Sequence, residues 1–80
     1  MRVKVFVTLK EGVLDPQGKA IERSLHSLGF YAVNGVRVGK YLEFEVTGTN
    51  TEEAQHQTQQ MCDKLLANPV IEDYRFEIQD

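Results

Sequence analysis

Cysteine is almost absent from this chain: there is one, so no internal disulfide can form. With no CxxC and no Cys/His cluster at zinc spacing, a disulfide scaffold and a structural zinc module are both excluded. Nor is there an apolar run approaching the roughly 20 residues that a membrane-crossing helix needs. The first residues pass straight into Val3-Lys4-Val5-Phe6-Val7 without a signal-like stretch, so the expected location is the cytoplasm. Basic residues are in the minority, with 9 Lys and Arg against 12 Asp and Glu, a net charge of −3 and a pI near 5.3. That balance argues against non-specific nucleic-acid binding and against a basic helix lying on a membrane. No linker interrupts the chain, and its one biased patch is the polar run Gln55 to Gln60. Eighty residues make a single domain, 1–80. A domain this small buries only about 60–65% of its unfolded surface. With no disulfide or metal to help, oligomerisation is the expected extra source of stability.

What the chain does contain is strong local patterning. Val3, Val5, Val7 and Leu9 alternate with Arg2, Lys4, Phe6, Thr8 and Lys10, which predicts a strand with one buried face. Phe6 falls on the polar side: it is either an exposed aromatic or a sign that a second subunit covers that face. A corner follows at Leu14-Asp15-Pro16-Gln17-Gly18-Lys19-Ala20. Asp15 is a good N-cap, and Pro16 suits the first helical position, where its missing N–H is not needed. Gly18 costs helix stability, so it implies close approach of another backbone, from the sheet or from a partner.

The helix runs from Pro16 to about Leu28, with Ile21, Leu25 and Leu28 on one stripe and Gly29 as its stop. Val36, Val38, Leu42, Phe44 and Val46 then keep even-numbered positions apolar, with Lys40 the one exception between them. This pattern fits a hairpin with a Gly39-Lys40-Tyr41 loop, or one long strand bent at Gly39. Arg37 and Lys40 make a small basic spot there, and no P-loop pattern surrounds Gly39-Lys40. The second helix starts near Asn50 or Thr51, where Thr49/Glu52 and Asn50/Glu53 have capping-box spacing. Ala54, Thr58, Met61 and Leu65 form its stripe, and Asn68-Pro69 stop it. Val70-Ile71 begins the last strand.

The resulting order, β-α-β-β-α-β with the hairpin, is that of an α+β, ferredoxin-like antiparallel sheet with two helices on one face. The other face, carrying Phe6 and Tyr41, would be completed or covered by dimerisation. His56 and Cys62 fall on different faces of an ideal helix, so they make a poor Cys/His catalytic pair. An RNA-recognition module shares the order of elements, but the first strand lacks its aromatic pair and the charge has the wrong sign.

Several stretches together resemble one family. They are Val3-Lys4-Val5 through Thr8-Leu9-Lys10, Val13-Leu14-Asp15-Pro16-Gln17-Gly18-Lys19-Ala20, Leu25-His26-Ser27-Leu28-Gly29, Val36-Arg37-Val38-Gly39-Lys40, and Met61 through Tyr74. They are similar to the small S subunit (PurS family) of phosphoribosylformylglycinamidine (FGAM) synthase. The resemblance implies a non-catalytic subunit of a purine-biosynthesis ligase, with no active site, metal or cofactor in this chain. ATP and Mg would sit in the large partner subunit. The chain would form a homodimer or tetramer joining that large synthase subunit to a glutaminase subunit, so that ammonia passes between them. Partner-interface candidates are Asp15, Gly18, Arg37, Gly39 and Lys40 around the corner and turn, and Phe6 and Tyr41 on the sheet's second face. A ferredoxin-like module sensing a small metabolite is the alternative from a different class.

Overall fold

In the computed structural model, which describes residues 1–79, three strands and two helices follow one another. They are β1 (Arg2–Leu9), α1 (Pro16–Ser27), β2 (Gly39–Glu45), α2 (Thr51–Met61, continued by a π-helical turn Cys62–Leu66) and β3 (Glu72–Gln79). The α+β antiparallel class is the one expected. The sheet order is β2-β1-β3, with β1 in the centre and antiparallel to both neighbours.

The period-2 pattern of β1 does what it dictates. Val3, Val5 and Val7 are fully buried. They lie across from Phe44, Leu42 and Lys40 on one side and from Ile78, Phe76 and Tyr74 on the other. Val46, Ala54, Cys62 and Ala67 close this core, so α2 is the layer that covers the sheet. Asn50 caps α2 through its side chain, which accepts from Glu53 N–H at 2.8 Å. The π turn closes when Ala67 N–H donates to the Cys62 carbonyl at 3.0 Å, with both residues buried.

One buried polar atom in this core has no partner among the described residues: Thr58 Oγ1 on the inner face of α2. A buried hydroxyl without a hydrogen bond costs about 1–3 kcal/mol. Thr58→Val keeps the branched shape and removes that cost. Chemical denaturation of this variant should show about 1 kcal/mol more stability than wild type.

Three expectations are corrected. Val36 and Val38 form no strand: residues 31–38 are irregular, and β2 starts at Gly39, so neither the hairpin nor a long bent strand is present. Val70 and Ile71 belong to a turn in which Ile71 and Glu72 N–H both donate to the Asn68 carbonyl, so β3 starts at Glu72. Most consequentially, α1 does not lie on the sheet. The packed elements are β1 with its two neighbours and α2 with β3. The molecule is consequently long and thin, 50 × 26 × 14 Å, with a radius of gyration of 16.2 Å where a compact chain of this length would have about 12 Å.

Candidate functional site

The corner between β1 and α1 is built from Asp15. Its Oδ1 accepts from Gly18 N–H at 2.8 Å, the expected cap. Its Oδ2 accepts from Val38 N–H, also at 2.8 Å, and lies 3.5 Å from Arg37 Nε. Arg37 then donates through Nη2 to the Lys10 carbonyl at 3.1 Å, tying the same segment to the end of β1.

Two further groups on α1 repeat the device. Glu22 Oε1 accepts from Val36 N–H at 3.1 Å. His26 Nε2 lies 2.7 Å from the Val33 carbonyl; a carbonyl can only accept, so that nitrogen carries the proton. Asp15, Glu22 and His26 thus clamp residues 33–38 alongside α1. This explains the missing hairpin. The amide N–H groups of Val36 and Val38, which a strand would donate to a sheet, are given to carboxylates on the helix.

The glycines make the close approaches. A Cβ on Gly18 would sit 2.3 Å from the Val36 carbonyl oxygen, so the backbone implied by this glycine is the chain's own clamped segment. A Cβ on Gly39 would meet the Val7 carbonyl at 2.4 Å, where β2 begins its pairing with β1. Lys40 is exposed beside a cleft of about 450 Å³ shared with Leu9, Asp15, Pro16, Val38 and Glu72.

Phe6 and Tyr41 lie elsewhere, opposite one another across β1 and β2 on the sheet's second face. Their ring centroids are 5.0 Å apart, and the Arg75 guanidinium sits 3.9 Å over Phe6. Ion pairs Arg2–Glu43 (3.5 Å), Arg2–Glu45 (3.3 Å) and Arg75–Glu77 (3.1 Å) surround them. The candidates therefore form two groups, a corner and a sheet face. Sequence reasoning missed Glu22, His26 and Arg75. Glu22 and His26 could have been found from their positions seven and eleven residues after Asp15, one helical face. Arg75 becomes visible only once the β1–β3 register is known.

The electrostatics follow from these bonds. Val38 N–H, then Gly18 N–H, with Arg37 adding to them, hold the Asp15 carboxyl below its usual 3.8. Val36 N–H, with Lys19 assisting, holds Glu22 below 4.5. A carboxyl depressed by folding contributes stability that is present above its unfolded pKa and lost as pH falls through the folded one. The stability gap between wild type and an Asp15→Asn/Glu22→Gln variant should therefore be full at neutral pH and shrink below about pH 4. Denaturation curves measured across that range check it. Burial, then Asp63, pushes the Cys62 thiol up, away from the thiolate a nucleophile needs. Among the described residues no group of three metal-ligating side chains exists, and no helix is long and apolar enough to cross a membrane.

The corner thus belongs to a thin α+β chain whose first helix is held off its own sheet with its apolar stripe left exposed. The family model of PurS, phosphoribosylformylglycinamidine (FGAM) synthase, matches residues 2–80, and the chain belongs to that family. The synthase subunit PurS of Bacillus subtilis is 48% identical over 79 residues, covering 99% of this chain and 93% of that protein. A crystal structure of the B. subtilis PurS superimposes with a TM-score of 0.89, covering 99% and 98% of the two chains at 48% identity. A chain of the PurLQS structure from Thermotoga maritima superimposes with a TM-score of 0.86 at 34% identity, covering 95% of this chain and 93% of that one. Membership in this family favours an assembly role over a metabolite sensor.

Proposed function

We propose that this chain is the non-catalytic assembly subunit of a multi-subunit FGAM synthase. It joins the ATP-dependent synthase subunit to the glutaminase subunit so that ammonia passes between them as FGAR, ATP and glutamine become FGAM. ATP and Mg belong to the large subunit, and the complex works in the cytoplasm. The contribution is orientation: two active sites are held in register so that a small, easily lost intermediate is delivered.

The observation that carries this reading is the uncovered α1. Its apolar stripe is left open, with Ile21 40% and Leu28 72% exposed, and Phe30 and Tyr31 exposed just beyond its end. The chain's accessible surface is 5829 Å², where a compact 9.1 kDa monomer would have about 4,900 Å². The excess of about 900 Å² is close to what one partner contributes to a standard interface, about 800 Å². A second copy seated on the stripe accounts for it and makes the functional unit a homodimer. Phe6 and Tyr41 on the sheet face, and Gly39, Lys40 and Arg37 at the turn, remain available for the larger subunits.

The test is co-elution. Mixed with the synthase and glutaminase subunits of its own complex, the chain should move with both on a sizing column when glutamine is present. Elution as a free dimer beside two free subunits would remove the reading.

A further inference from the structure

Asn34-Gly35 is the one place in this chain where an asparagine precedes a glycine. We propose that it is a site of spontaneous deamidation, and that the product loosens the segment clamped along α1. The dipeptide sits in the irregular stretch 31–38, with both residues exposed. The Asn34 side chain has one contact, from Nδ2 to the Ala32 carbonyl at 3.4 Å, longer than the roughly 2.7–3.2 Å of a well-made bond. Gly35 has a φ of +66° and open space around the position a Cβ would take. No side chain shields its nitrogen, and its backbone turns at little cost. The Glu22 carboxylate faces Gly35 N–H but takes its hydrogen bond from Val36 N–H, which leaves the Gly35 nitrogen free to move.

The reaction needs only water. The Gly35 nitrogen, its proton lost to solvent base, attacks Asn34 Cγ. The new N–Cγ bond closes a five-membered succinimide ring, the Cγ–Nδ2 bond breaks, and ammonia leaves after gaining a proton. Water then opens the ring. Cleavage at Cγ gives aspartate; cleavage at the main-chain carbonyl gives isoaspartate, in which the backbone runs through the former side chain. Either product adds a negative charge, and isoaspartate also lengthens the backbone by one atom. That insertion falls between two fixed points, the Val33 carbonyl held by His26 and the Val36 N–H held by Glu22, so the two bonds lose their common register. The other asparagines are closed to this chemistry. Asn50 is bound through Oδ1 to Glu53 N–H, and the residue after it is already helical. Asn68 precedes Pro69, whose nitrogen has no proton to lose.

The test is peptide mapping of the whole chain by mass spectrometry after incubation at physiological temperature, at neutral and at mildly alkaline pH. Most of the peptide spanning position 34 should convert to a mixture of aspartate and isoaspartate. Conversion should be faster at the higher pH, because the deprotonated amide is the nucleophile. The peptides holding Asn50 and Asn68 should keep their mass. Asn34→Gln, whose longer side chain would have to close a less favourable six-membered ring, should stay intact. Aged wild type should melt below fresh wild type, while aged Asn34→Gln should melt with its own fresh sample. An unchanged position 34 in the folded chain, under conditions where the same chain converts in denaturant, would overturn the site, since the fold would then be shielding it. Conversion to aspartate without isoaspartate would overturn the ring mechanism. Equal melting of converted and fresh wild type would overturn the loosening of the clamp.

Discussion

Gly18→Ala should lower the stability of this protein by about 2–4 kcal/mol, although alanine is the better helix former. The intrinsic preference favours alanine by up to about 1 kcal/mol. Against it stands a Cβ that would lie 2.3 Å from the Val36 carbonyl oxygen and 2.9 Å from Asp15 Oδ2. The first of these is backbone and cannot swing aside. Relief requires residues 36–38 to move off the helix, which stretches the bonds from Val36 N–H to Glu22 and from Val38 N–H to Asp15. Overpacking at this scale costs about 1–3 kcal/mol, and two weakened hydrogen bonds add about 1 kcal/mol each. For a domain this size the loss corresponds to a fall in Tm of more than about 10 °C. Gln17→Ala, exposed and one residue away, should stay within about 0.5 kcal/mol of wild type. A thermal melt of the two variants decides the matter; a Gly18→Ala protein as stable as wild type would mean that the clamped segment is loosely held.

The second large effect concerns self-association. Ile21→Asp with Leu28→Asp should leave the folded chain intact, because both side chains are exposed within it. It should weaken the dimer by at least about 100-fold, the cost of placing uncompensated charge in the apolar centre of an interface. Sedimentation at micromolar concentration should then find a monomer for the variant and, on the proposed homodimer, a dimer for wild type. Phe6→Asp offers the contrast. Phe6 already has Tyr41 and Arg75 packed on it, so its replacement disturbs a cluster internal to the chain as well as the sheet face.

Much of this architecture is legible in the residues. Val3, Val5 and Val7 announce a half-buried strand through period 2 alone. Asp15-Pro16 and Asn50 announce helix starts, because the chemistry of a cap is local. What could not be read is where a group's partner comes from. Val36 and Val38 carry the alternation of a strand, but Asp15 and Glu22 take their N–H groups, a competition invisible in one dimension. Val70-Ile71 have strand-forming side chains, yet the Asn68 carbonyl draws the following amides into a turn. The stripe Ile21, Leu25, Leu28 was recognisable as apolar, and a sheet was the obvious surface to cover it; nothing in the pattern itself says whether that surface belongs to the same molecule. At the corner, the cap and its odd glycine are evident from local chemistry, while the partners of Glu22 and His26, Val36 and Val33, lie 14 and 7 residues further along the chain and come beside the helix only in the fold.

On the proposed reading, this chain acts by joining two enzymes rather than by chemistry of its own. The most direct measurement is FGAM formation by the synthase and glutaminase subunits, with and without this chain, supplied either with glutamine or with a saturating ammonium salt. Glutamine-dependent turnover should require the chain, and ammonium-dependent turnover should not. Equal glutamine-dependent rates in its presence and absence would contradict the account.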